Sequence, residues 1–100
     1  MIEIMKPINW SSDKNIQVKA ERGVSFEEVL VAISHGALLD VVAHPNKDRY
    51  PNQRMFIIRI RGYVYVVTFV ETKEEIFLKT IIPSRIATRK YLPEENDNEK

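Results

Sequence analysis

The sequence predicts an α+β domain, with two N-terminal helices packed on a three- or four-stranded antiparallel sheet and a short basic C-terminal helix. Three observations predict it. The first third holds helical segments with serine starts, one carrying the S-x-x-E capping box at Ser25 and Glu28. From Gln53 onward the apolar residues change to a period of two, as half-buried strands require. Pro83 then stops the last strand, and the chain restarts as a short basic helix that presents Arg85, Arg89 and Lys90.

Residues 1–9 are mixed in character, end near Pro7 and read as a short extended lead-in. Trp10-Ser11-Ser12-Asp13 reads as a helix start. Either serine can accept a bond from an orphan backbone N–H, and Asp13 suits the positive end of the helix. This helix runs to Arg22 and stops at Gly23, with a thin apolar face of Ile16 and Ala20. The second helix opens on the capping box. Val24 can meet Val29 as a hydrophobic staple, and Phe26, Val29, Leu30 and Ile33 make one apolar face. Ser34-His35-Gly36 closes it, and His35 reads as a capping cation rather than a catalyst.

Leu38 to Ala43 reads as the first strand. His44 to Asn52 is a polar loop with two prolines, longer than a tight turn; loops of this kind are often functional. Met55–Arg61, Tyr63–Glu71 and Ile76–Ile82 form an antiparallel meander. Arg61-Gly62 makes one hairpin turn, and Thr72 to Glu75 makes the next connection. Both faces of the meander carry apolar residues, so both need cover. The two N-terminal helices suit one face. The other is left for the C-terminal helix, a partner, or both.

The chain has 100 residues, of which 44% are hydrophobic and 29% charged, as expected of one soluble globular domain. No apolar run approaches the roughly 20 residues of a membrane span. The start lacks the basic and apolar regions of a secretory signal. Cysteine is absent, which excludes disulfides and thiolate metal sites and fits a reducing cytoplasm. The net charge is +1, from 15 basic and 14 acidic side chains. Four of those acids and one base fall in residues 93–100, so the body without them stands at +4. The expected division is therefore a domain over 1–92 and an acidic, disordered tail over 93–100. A mildly basic body is compatible with nucleic-acid binding.

Several chemistries lack their signature. Gly23, Gly36 and Gly62 are scattered and form no phosphate loop. His35 and His44 lack metal-ligand spacing, and no serine sits in a nucleophile elbow. The carboxylate pairs are sequence neighbours, which do not face each other on a helix. No cofactor and no metal are expected. What remains is a set of cations and aromatics that includes Arg49, Arg54, Arg59, Arg61, Lys79, Arg85, Arg89 and Lys90, with Tyr50, Tyr63, Tyr65, Tyr91 and Trp10. Arg85 and Arg89 are four apart and share a helix face. Arginine binds two oxygens of a phosphodiester at once. Cleavage of RNA by its own 2′-hydroxyl needs a base, cations on the phosphorus oxygens and an acid for the leaving oxygen. The same residues also suit simple binding, or an ordinary solvated surface.

Trp10, Lys14 and Gly23-Val24-Ser25-Phe26-Glu27-Glu28 match, at the right spacing, the opening of BrnT-type toxins of bacterial toxin–antitoxin pairs. Ile81-Ile82, Arg85 and Ala87-Thr88-Arg89 resemble that family's closing motif, and Arg54 matches an arginine that opens the strand after the loop. The resemblance spans roughly Trp10 to Tyr91. It implies a RelE-like fold, metal-independent RNA cleavage in the cytoplasm, and neutralisation by a small DNA-binding antitoxin through which alone operator DNA is met. The sequence departs from the pattern at Ser11, where an acid commonly follows the tryptophan. It departs again at Arg22, where a histidine precedes the glycine, at Gln53 beside Arg54, and at Thr80, where an arginine is expected.

The resulting expectation is an endoribonuclease toxin. Arg54, Arg85 and Arg89 are the phosphate-binding cations. His44 and Tyr91 are the acid–base candidates. Trp10, Lys14, Lys79 and Lys90 are the substrate-binding candidates, Lys79 lying one place from the expected arginine. Two alternatives use the same surfaces. One is a non-catalytic module that binds RNA or a protein. The other is an interaction subunit whose second apolar face is a homodimer interface.

Overall fold

The computed structural model describes residues 6–93, five strands and three helices in an α+β arrangement. In chain order these are β1 (Ile8–Trp10), α1 (Ser12–Arg22), α2 (Phe26–Ser34), β2 (Leu38–Ala43), β3 (Gln53–Ile60), β4 (Tyr63–Glu71), β5 (Ile76–Pro83) and α3 (Arg85–Tyr91). The acidic tail expected over 93–100 lies, from residue 94, outside the described residues.

The sheet corrects the expectation of three or four antiparallel strands. It has five, in the order β1-β5-β4-β3-β2, and it is mixed. The segment read as a lead-in supplies β1, which pairs parallel to β5 with Ile8 beside Ile76 and Trp10 beside Leu78. Three residues after a proline carry no readable period, so only the pairing defines this strand.

The local chemistry explains the helix ends. Ser11 caps α1 by accepting from the Lys14 N–H, and Gly23 ends it at φ 73°. In α2, Ser25 and Glu28 form the reciprocal capping box. The inward face of α1 differs from the Ile16–Ala20 stripe. Val18 is the buried residue, whereas Ile16 is 70% exposed. Asn15 explains the rotation. Its Oδ1 accepts from the Phe26 N–H at 2.8 Å and its Nδ2 donates to Glu27 at 2.7 Å, which ties the Asn15–Val18 side to α2. Of the face read on α2, Phe26, Val29 and Ile33 pack on the core together with Ala32, whereas Leu30 is 39% exposed.

Alternation along the strands sorts the sheet into two faces. The inner face, beneath α1 and α2, holds Phe56, Ile58, Ile60, Val67, Phe69, Ile76, Leu78 and Ile81. Phe56 and Phe69 stack at its centre with ring centroids 4.0 Å apart. The β3–β4 hairpin turns on Arg61 and Gly62, both at positive φ, as a two-residue primed turn requires. Arg61 is held there by the Glu28 carboxylate and by a 3.0 Å bond to the Gly23 carbonyl.

The outer face is half covered. Buried Thr88 of α3 accepts from the Val64 N–H at 2.9 Å and donates to the Ser84 carbonyl at 2.7 Å, which seats the helix over β4. The Tyr91 hydroxyl donates to Asp40 Oδ2 at 2.8 Å, which ties the helix end to β2. β2 is also a sheet edge. The pairing of His44 with Gln53 assigns Val41 to the residues whose backbone groups point away from β3. Asp40 Oδ1 accepts from that outward Val41 N–H at 2.8 Å.

Candidate functional site

The uncovered half of the outer face forms the floor of a cleft. Its shape depends on an irregularity in β5. The inward residues there are Ile76, Leu78 and Ile81, so the spacing is two and then three. The pairing with β4 records the same break, since Thr68 stands opposite Thr80 while Phe69 stands opposite Leu78. Lys79 is the extra residue of a β-bulge, and Phe77, Lys79 and Thr80 all face outward.

The cleft has a volume of about 610 Å³. Three regions line it. α1 contributes Lys14 beside its cap Ser11; the β2–β3 loop contributes His44 and Tyr50; the floor comes from Gln53, Thr68, Phe77, Thr80 and Ile82, with Lys79 above it. The Lys79 ammonium lies over the Phe77 ring, 5.5 Å from its centroid. Thr68 and Thr80 share a hydrogen bond of 2.7 Å between their hydroxyls. Among the described residues no carboxylate lines the cleft, and neither lysine forms an ion pair with another of them. A mostly apolar groove with convergent cations and hydroxyls is suited to an anionic ligand that also has an apolar part.

The β2–β3 loop fixes His44. Asn46 donates its backbone N–H to His44 Nδ1 at 3.0 Å, and its side chain accepts from the Arg49 N–H at 3.1 Å. The Tyr50 ring packs on the imidazole, centroids 4.5 Å apart. Because Nδ1 accepts, the proton of the neutral ring resides on Nε2. His44 is then a hydrogen-bond donor, which suits a phosphoryl oxygen better than it suits a general base.

The structure therefore gathers Lys14, His44 and Lys79 and separates the other expected residues from them. Trp10 is a core residue, tilted against Phe26 with centroids 5.9 Å apart. Arg54 lies on the opposite face of the sheet, over the Phe69 ring and paired with Glu71. Lys6 bonds the same carboxylate at 2.6 Å. That bond, reinforced by Arg54, holds the Glu71 carboxyl below its ordinary value against the opposing effect of burial. Arg85 and Arg89 are exposed on α3 and do not line the cleft. Lys90 lies over the Tyr91 ring, 5.3 Å from its centroid. Tyr91 is bound to Asp40, which raises its pKa through the hydrogen bond first and through burial and the nearby charge after it. That phenol keeps its proton and is better placed as a latch than as an acid.

Sequence reasoning missed Gln53, Thr68, Phe77 and Thr80. The inward spacing of Ile76, Leu78 and Ile81 is the signal that reveals the last two. Among the described residues no group of three or more metal-ligating side chains comes together, and no helix is long and apolar enough to cross a membrane. Comparison with family models, with curated proteins and with solved structures finds no match to this chain.

Proposed function

We propose that the chain is a BrnT-type endoribonuclease, RelE-like in fold, acting as the toxin of a type II toxin–antitoxin pair. In this reading it cleaves RNA in the cytoplasm without a metal ion. A small DNA-binding antitoxin neutralises it, and operator DNA is met only through that partner. One observation carries the reading: Lys14, His44 and Lys79 line a single cleft that has no carboxylate among its described lining residues. Of the opening residues that resemble the family, Trp10 and Ser25 to Glu28 serve the core and the capping box. Lys14 is the one that reaches the cleft. The resemblance therefore supports the fold through most of its residues and the chemistry through one.

Cleavage forms a bond from the 2′ oxygen to phosphorus and breaks the bond from phosphorus to the 5′ oxygen. Solvent water takes the proton from the 2′ oxygen and returns one to the 5′ oxygen, which gives a 2′,3′-cyclic phosphate and a 5′-hydroxyl. Lys14 and Lys79 supply positive charge for the phosphorus oxygens, and the His44 Nε2–H supplies a directed donor. Arg85 and Arg89 serve the flanking backbone from α3.

The test is cleavage of a mixed-sequence RNA in excess chelator. The parent is expected to give fragments ending in cyclic phosphate. Lys14→Ala should lower the rate by ~10²–10³, the range for losing one preorganised donor. Arg54→Ala, on the other face and already paired, should stay near the parent. Arg85→Ala should act mainly on KM, as a flanking binding contact does. Intact RNA after incubation with the folded parent, with and without added ribosomes, would overturn the catalytic reading. A larger loss from Arg54→Ala than from Lys14→Ala would move the site to the opposite face.

A further inference from the structure

We propose that the β-bulge in β5 builds the cleft's grip on the phosphodiester backbone of a single-stranded nucleic acid, with Lys79 as the gripping cation. The inference rests on the reading of the cleft as an RNA site. It adds which residue holds the backbone, by what device, and in which strand form the ligand enters.

In a regular strand only one of two neighbouring residues can face a given side. Leu78 and Ile81 both point into the core, so the two residues between them share the outer side. Lys79 and Thr80 thus line one cleft as adjacent residues. Bulges of this kind re-aim a side chain at the cost of local pairing. The re-aimed Lys79 is parked over Phe77, and no described carboxylate neutralises it. Lys14 reaches the same cleft from α1, so the cations come from two separate elements. By contrast, the cleft on the other side around Arg54 includes the Glu71 carboxylate. The groove beside α2 that contains Arg59 and Arg61 includes Glu27 and Glu28.

The cleft's volume is in the range of small-ligand sites, enough for a nucleotide and too small for a duplex. Two lysines give point charges for phosphate rather than a planar fork for a base edge. A backbone grip of this kind accepts ribose and deoxyribose alike, and any preference for RNA arises at the chemical step.

The experiment measures binding of a fluorescein-labelled eight-nucleotide oligouridine to the full chain over a salt series, at a temperature where cleavage is slow. Lys79→Thr should bind about fivefold more weakly at 0.1 M salt. Its slope of log affinity on log salt should fall by about 0.7, the loss of one phosphate contact on a single strand. The double substitution K79T/T80K should restore both values, because positions 79 and 80 face the same cleft. That restoration also excludes misfolding as the cause of the loss. A K79T/T80K chain that stays weak would overturn the role of the bulge. Unchanged binding by Lys79→Thr in a parent that binds and cleaves would overturn this proposal alone. A parent that binds no oligonucleotide would overturn it together with the ribonuclease reading. The matching deoxyoligonucleotide should bind comparably and a duplex RNA more weakly; a preference for duplex would overturn the single-strand assignment.

Discussion

A threonine hydroxyl decides where α3 lies. Thr88 Oγ1 receives the Val64 N–H and gives its own proton to the Ser84 carbonyl, all within a buried contact. Thr88→Val keeps the shape and removes both bonds. The Val64 N–H then has no partner in a dry place, which costs about 1–3 kcal/mol. Urea unfolding is expected to show that loss for Thr88→Val and a much smaller one for Thr88→Ser; equal losses would mean that shape, not the hydroxyl, is what matters. Nothing in the sequence announces this role, since Thr88 sits among Arg85, Arg89 and Lys90 and reads as part of a basic surface. Lys79 is the opposite case. Its charge was legible, but its direction was not, because direction depends on a bulge in β5. The same holds for Arg54, whose residue type suits a phosphate while strand parity turns it to Glu71 instead.

At the scale of elements, the legible features were those set by neighbours in sequence. The Ser25–Glu28 capping box, the Gly23 stop and the Arg61-Gly62 turn each close within a few residues. The features that escaped are set by distant partners. β1 is defined only by β5, and the inward side of α1 is defined by what Asn15 does to α2. Ile16 and Ala20 are apolar yet exposed, and α1 turns inward the side that carries Asn15 and Val18. Asn15→Ala should destabilise the chain by about 1 kcal/mol, the usual cost of losing a cap-type bond. Asn15→Asp keeps an acceptor for the Phe26 N–H but sets a carboxylate against Glu27, whose own carboxyl is held low chiefly by the Asn15 bond. Thermal melts at pH 7 and pH 4 separate these effects. The Asp variant is expected to recover toward the parent at the lower pH, and the Ala variant is not.

For the molecule as a whole, the sheet separates two electrostatic arrangements. One face carries Lys6, Arg54 and Glu71 as a closed set, and the cleft on the other carries Lys14, His44 and Lys79 with no acid among its described lining residues. Net charge could not show this, because the separation comes from strand parity and not from composition. The closed set has a consequence for pH. The folded state holds the Glu71 carboxyl below its ordinary value of 4.5. Its contribution to stability is therefore present above that value and is lost as pH falls through the depressed one. The gap in Tm between the parent and Glu71→Gln should be widest near neutral pH and should close below pH 4.5. A gap that does not vary with pH would assign the effect to packing.

The Asp40 carboxylate links the two ends of this architecture. One oxygen occupies the outward amide of Val41, and the other holds the phenol that ends α3. An exposed strand edge is a template for pairing with another chain. Here one amide of that template is occupied by the same carboxylate that fastens the C-terminal end of α3. Loss of that carboxylate is expected to bare the Val41 amide on the β2 edge and to loosen the end of α3 together. Self-association of such a variant is then expected to start at β2.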